Sequence, residues 1–240
     1  MKNLTKEEIL YLSKISLKLQ RYDDMKALLK KLLISDEKFG SEEINLFCIA
    51  YKHIINTKRS NYRLLLAQYE LERKHKRIKK QILLEPKLHS LRKEIEVNCR
   101  EIISVLKKFL ETNPVTTKVD LIYMKMHADF HRYLAETATG DELQKAKQSA
   151  LSIYEECYEK SKKELPKIDP VRLGIALSYS TLYSDILEEP NKACLVAKRA
   201  FQEALTELDT LFDNEYSDEE FNEVIVMIQG LRDQGKIFYP

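Results

Sequence analysis

Apolar side chains return every three or four positions along almost the whole of this chain, and that spacing admits helices and little else. Leu143, Ala146, Ala150, Ile153 and Cys157 make one such stripe; Ala193, Ala197, Ala200, Ala204 and Leu208 make another, widened by Phe201 and Leu205. No segment alternates cleanly like a half-buried strand. Helix boundaries are written between the stripes. Thr5 with Glu8, Asp141 with Gln144 and Ser217 with Glu220 read as capping boxes. Pro86, Pro170 and Pro190 read as first helical residues, and Gly40 and Gly140 as helix ends. The pattern predicts an all-α chain of about nine helices, at roughly 5–18, 22–35, 41–77, 86–110, 116–138, 141–164, 170–187, 190–209 and 217–237. Short connections make consecutive helices antiparallel neighbours. No fixed period repeats, which disfavours a tetratricopeptide-type array.

With 240 residues the chain is long enough for a real core. A net charge of +2 provides no broad field toward nucleic acid or an anionic membrane, so anion recognition must come from local clustering. The N-terminal MKNLTKEEIL has no apolar signal region, and no apolar run approaches a membrane span. Cys48, Cys99, Cys157 and Cys194 are widely separated within apolar patterns, so buried free thiols in a reducing compartment, cytoplasm or nucleus, are expected.

The sequence carries no recognisable catalytic motif. The scattered glycines form no dinucleotide fingerprint or phosphate-binding loop, and neither a G-x-S-x-G elbow nor an H-E-x-x-H pair is present. His127 and His131 are one helical turn apart, but no carboxylate or cysteine partner is suggested, and core-edge or solvated histidines are the better reading. The sequence is read as non-enzymatic, with no metal and no cofactor. The basic run from Arg73 to Lys80 has no aromatic residues interleaved and reads as a solvated helix end and loop, not a nucleic-acid patch.

The most informative stretch is residues 123–136, YMKMHADFHRYLAE. Lys125, Asp129, Arg132 and Glu136 fall on one stripe of a segment otherwise rich in Tyr123, Met124, Met126, Phe130, Tyr133 and Leu134. A charged line on so apolar a helix is expected to face something wet and specific, such as a groove that receives a ligand.

These residues carry a family resemblance. INLFCIAYKHI at 44–54 resembles the first signature of the 14-3-3 family, and YMKMHADFHRYLAETATG at 123–140 is similar to its fifth helix. PVRLGIALSYSTLYSDIL at 170–187 and PNKACLVAKRAFQEALTELDTL at 190–211 resemble its seventh and eighth helices, and RYDDM at 21–25 the start of its second. The resemblance implies one domain over 1–240, a bundle of nine antiparallel helices. Residues 1–110 would form the dimerisation half and groove floor, and 116–240 the ligand-binding half. It implies an adaptor that holds phosphoserine or phosphothreonine segments of client proteins, as a homodimer or with a paralogue, with no nucleic acid, membrane or small-molecule substrate.

The phosphate grip implied by the family maps onto Lys52, Arg59, Arg132 and Tyr133. Two guanidiniums can fork onto phosphate oxygens while an ammonium adds a point charge and a phenol donates a hydrogen bond. Asp129 and Glu136 would orient these cations and offset their mutual repulsion. The resemblance further places Lys125, Ser178, Asp185 and Gln234 against the peptide backbone, and Leu177, Ile237 and Phe238 on an apolar wall. It assigns Ile15, Leu19, Arg21, Asp24 and Asn61 to the dimer interface. The chain departs from the family where Ser178 and Gln234 replace asparagines and where Gly230 replaces a groove-lining leucine. Gly230 and Gly235 weaken the ninth helix, and the segment before it, 216–226, is several residues longer than the family pattern. A weakened or displaced ninth helix and a wider groove are therefore expected. The alternative reading is a scaffold of the same fold that binds unphosphorylated or acidic segments, or partners on its outer surface.

Overall fold

The computed structural model describes residues 4–34, 40–113, 115–208 and 217–236. Among them are nine α-helices and one short 3-10 turn, Leu32–Ile34, with no strand. The helices are α1 (Lys6–Lys18), α2 (Tyr22–Leu29), α3 (Ser41–Lys74), α4 (Ile78–Thr112), α5 (Lys118–Ala135), α6 (Gly140–Glu164), α7 (Pro170–Asp185), α8 (Pro190–Leu205) and α9 (Asp218–Lys236). The chain divides into two compact units, Met1–Glu111 and Thr112–Pro240.

In the first unit, α1 packs on α2 and α2 on α3. Met25 and Leu29 of α2, Ile44, Phe47, Tyr51 and Ile55 of α3, and Ile95, Ile102 and Leu106 of α4 are fully buried. Polar ties reinforce this core. Lys26 Nζ donates to Asn98 Oδ1 at 2.6 Å and pairs with Glu101 at 2.9 Å, while the Tyr51 hydroxyl donates to the same carboxylate at 2.9 Å. Burial alone would raise the Glu101 carboxyl; hydrogen bonds from Lys30, Lys26 and Tyr51 outweigh it and hold it down at about 2.

In the second unit α6 packs against α5 and α7, and α9 lies on α7 and α8. The alanine stripe Ala193, Ala197, Ala200 and Ala204 is buried, and small side chains there let helices approach closely. Near the C-terminal end of α9 the Cys194 thiol reaches the Gly235 carbonyl at 3.2 Å. All four cysteines are free and buried, and burial pushes the Cys48 and Cys157 thiols up to about 12.

Several boundary signals act as read. Thr5 and Glu8 form the reciprocal cap of α1, and Asp169 caps α7 by accepting from the Val171 N–H at 2.8 Å, with Pro170 at the first turn. Others do not. Gly40 is the N-cap of α3, its N–H donating to Glu43 at 2.8 Å, and not a helix end. Gly140 takes the left-handed turn expected of a helix stop, at φ +58°, but α6 begins at it and is capped at Thr139 without a side-chain bond. Asp141 and Gln144 therefore lie inside α6 and form no box. Thr117 with Asp120 makes a box on α5 that the reading missed. The Glu220 side chain lies outside the described residues.

The largest correction concerns Pro86, which does not begin a helix but sits inside α4. The preceding turns are held on α3 by contacts that local sequence does not reveal. Tyr69 Oη donates to Glu85 at 3.0 Å, and the buried Glu72 pairs with Arg77 at 3.3 Å and Lys80 at 3.6 Å. The donor that proline lacks leaves the Ile82 carbonyl without its helical partner. Ile82 is exposed, so water can serve instead. Residues Arg73 to Lys80 are exposed throughout, across the end of α3, a left-handed Lys76 and the start of α4.

Candidate functional site

Helix α5 carries the charged line, and the contact with α6 decides what it does. Its apolar positions, among them Leu121, Tyr123, Met124, Phe130 and Leu134, are buried. That burial carries the polar stripe inward as well. Asp129 and Arg132 are 7% and 8% exposed, so the line is a largely enclosed network and not an openly wet face. The acid sits between two cations. Asp129 Oδ2 accepts from Lys125 Nζ at 2.7 Å, and Asp129 Oδ1 accepts from Arg132 Nη2 at 3.1 Å. Glu136 stands 3.9 Å from Arg132 Nη1.

A residue the sequence reading missed completes this network. The fully buried Tyr154, on α6, donates its hydroxyl to Asp129 Oδ1 and accepts from Arg132 Nε at 3.3 Å. The signal was available, since Tyr154 lies four residues beyond Ala150 on a stripe of small buried side chains. A tyrosine there must find a polar partner for its hydroxyl. Ile153, read as part of that stripe, is only half-buried.

Burial alone would push the Asp129 carboxyl up. Lys125 and Arg132 beside it, with hydrogen bonds from Lys125 and Tyr154, more than offset that and hold it well below the usual carboxylate range. Burial opposes the Arg132 cation, and the Tyr154 and Asp129 oxygens restore it. The Tyr154 phenol is held well above its ordinary value by burial and by the adjacent carboxylate, so it keeps its proton. Chemically this is a guanidinium and an ammonium fixed in place by shared acceptors.

Tyr133 is buried, its ring 4.8 Å below the Arg132 guanidinium and edge-on to Phe130 at 5.9 Å. The stem of Lys125 passes Gly174 of α7, where an added Cβ would lie 3.9 Å from Cε. The His127 and His131 rings meet at a tilt of 58°, with centroids 5.0 Å apart. Burial lowers His131 to about 4, which suits a core-edge histidine.

The remaining residues of the second unit lie on α7 and α9. Leu177 and Ser178 are half-buried, and Asp185 is exposed at the end of α7. Gln234 donates from Nε2 to Ser184 Oγ at 3.0 Å, and Ser184 donates to Asp185 at 2.6 Å. The family-derived backbone contact at Gln234 is thus drawn into a link between α9 and α7. Helix α9 runs unbroken through Gly230 and Gly235 and packs on both neighbours. Both glycines are close-approach points. A Cβ at Gly230 would lie 3.2 Å from Leu177 Cδ2, and one at Gly235 3.2 Å from Lys198 Cγ. Ile237 and Phe238 lie outside the described residues.

In the first unit Lys52 is exposed on α3, and Arg59, half-buried two turns later, donates to Asn56 Oδ1 at 2.9 Å. Arg21, Asp24 and Asn61 line one cleft of about 500 Å³ with Tyr22, His53 and Leu91. Arg21 pairs within the chain, to Asp24 at 2.5 Å, and the Tyr22 and His53 rings stack at 4.1 Å. Ile15 on α1 is half-buried, and Leu19, at the C-terminal cap of that helix, is exposed.

A family model described as 14-3-3 protein matches residues 12–236. Proteins named 14-3-3 protein beta/alpha from Gallus gallus, Homo sapiens and Bos taurus are each 36% identical over 216 residues, spanning 90% of this chain and 87% of the relative.

Proposed function

The chain belongs to the 14-3-3 family, and from that premise we propose that it holds phosphoserine- or phosphothreonine-containing segments of client proteins in a basic, amphipathic groove. Members of the family are non-enzymatic adaptors for phosphoproteins that act through protein partners and dimerise, and this chain shares that general role. The proposal concerns how it does so. Lys52, Arg59, Arg132 and Tyr133 are the phosphate ligands carried over from the family pattern. Lys125, Ser178, Asp185 and Gln234 are the backbone contacts, with Leu177 on the apolar side.

The observation that supports this most is the enclosed pairing of Asp129 with both Lys125 and Arg132. An ammonium and a guanidinium held in place by acids on a mostly apolar helix would make a pre-positioned anion site. A phosphate monoester near neutral pH carries close to two negative charges and matches such a set. Dimerisation through α1 and the cleft holding Arg21, Asp24 and Asn61 would put two such sites on one body. Linking two sites can raise avidity by about 10²–10⁴. The cytoplasm is the expected compartment, with the nucleus also open.

A second reading has one observation in its favour: Gln234, expected at the peptide, is engaged by Ser184. It makes the chain a scaffold for unphosphorylated or acidic segments, or for partners on its outer surface. Titration of one fluorescent peptide, with and without serine phosphate, into the wild type and Arg132→Glu separates the two. Micromolar binding of the phosphopeptide alone, lost in the variant, is expected. Equal binding of both peptides, or binding untouched by the charge reversal, would overturn the phosphate reading.

A further inference from the structure

Resting on the phosphate reading, we infer that Tyr154 is a positioning residue of the grip: it clamps the side edge of the Arg132 guanidinium, so that phosphate is taken by the end edge. A guanidinium offers an oxyanion two bidentate edges, one from Nε and Nη2 and the other from Nη1 and Nη2. In this protein the first is already filled. Nε donates to the Tyr154 hydroxyl at 3.3 Å and Nη2 to Asp129 Oδ1 at 3.1 Å. The Tyr154 hydroxyl donates to that same Oδ1, which joins phenol and carboxylate into one two-point acceptor.

The clamp is rigid for identifiable reasons. Tyr154 is fully buried and stacks on Tyr179 at 6.0 Å, while the guanidinium rests on the Tyr133 ring. Asp129 is also anchored from its other oxygen by Lys125. The end edge is held differently. Nη1 faces Glu136 at 3.9 Å, beyond hydrogen-bond reach. An incoming phosphate therefore competes with Glu136 at that edge and leaves the Tyr154–Asp129 pair in place. Without the phenol, Asp129 could draw the side edge toward itself and swing Nη1 out of register.

The test follows the Arg132 Nε–H signal by ¹⁵N nuclear magnetic resonance in the full chain, with a phosphoserine peptide and its unphosphorylated counterpart as probes. In the wild type that proton should be protected from exchange and stay so when phosphopeptide is added. Tyr154→Phe, which keeps the ring, should lose the protection and weaken phosphopeptide binding about tenfold, with its circular dichroism retained. Glu136→Gln should keep the protection and tighten binding. Wild-type affinity in Tyr154→Phe, or an Nε–H signal that moves into a new hydrogen bond on phosphopeptide addition, would overturn the clamp. If the wild type does not prefer the phosphopeptide, the functional reading fails and the role in the grip fails with it. That outcome is distinct from a wild type that prefers phosphate and a variant that does so equally.

Discussion

Leu177 of α7 lies against Gly230 of α9 so closely that a methyl added to the glycine would sit 3.2 Å from Leu177 Cδ2. The contact explains why a helix carrying two glycines still packs on its neighbours.

Gly230→Ala should therefore be tolerated. The half-buried tip of Leu177 can give by a few tenths of an ångström, and the helix gains up to about 1 kcal/mol in propensity. Gly230→Leu should instead displace Leu177 and destabilise by about 1–3 kcal/mol through overpacking. Urea denaturation of the two variants tests this. Equal stability of both would mean that the α7–α9 contact is loose.

Acid lability should come in two stages. His131 is lowered from an ordinary 6.5 to about 4, so between these values the unfolded chain binds the extra proton and stability falls as pH falls. Asp129 is depressed from 3.8 and Glu101 from 4.5 to about 2, so their contributions are present above those ordinary values and are lost as pH drops through the folded ones. His131→Phe should flatten the first stage, by about 1–3 kcal/mol between pH 6.5 and 4, and leave the second. Denaturation midpoints of wild type and variant at pH 7.5, 5.5 and 4 measure the first stage, and an unchanged fall over that range in the variant would refute it.

Ser178→Asn restores an amide that can both donate to and accept from a peptide backbone. One added hydrogen bond is worth about 0.5–1.5 kcal/mol, so phosphopeptide affinity should rise by roughly two- to tenfold. No gain on titration would indicate that the bound backbone does not pass this position.

Leu19 is 63% exposed at the C-terminal cap of α1, and the family pattern assigns it to the dimer interface. Leu19→Glu should shift the protein from dimer to monomer at micromolar concentration in sedimentation velocity while leaving its helicity intact. A wild type that is monomeric, or a variant that remains dimeric, would remove this face from the interface.

Helix number and class, most boundaries, and the line Lys125, Asp129, Arg132, Glu136 were all legible in the sequence, because three- and four-residue spacing is a property of one helix alone. The family resemblance was legible for the same reason, being carried by contiguous runs. Pro86 was misread because its surroundings are held by Tyr69 and Glu72, residues well upstream that no local rule consults. Tyr154 was missed because its meaning lies in contact with Asp129, 25 residues away on another helix.

The sequence by itself determined that this is an all-helical member of its family with a charged stripe on an apolar helix. Tertiary structure decided that the stripe is enclosed, that Tyr154 closes the side of Arg132, and that Leu177 occupies the space beside Gly230. Periodicity sets which side chains share a face, but only the packing of one helix on another sets what that face meets and how much water remains there.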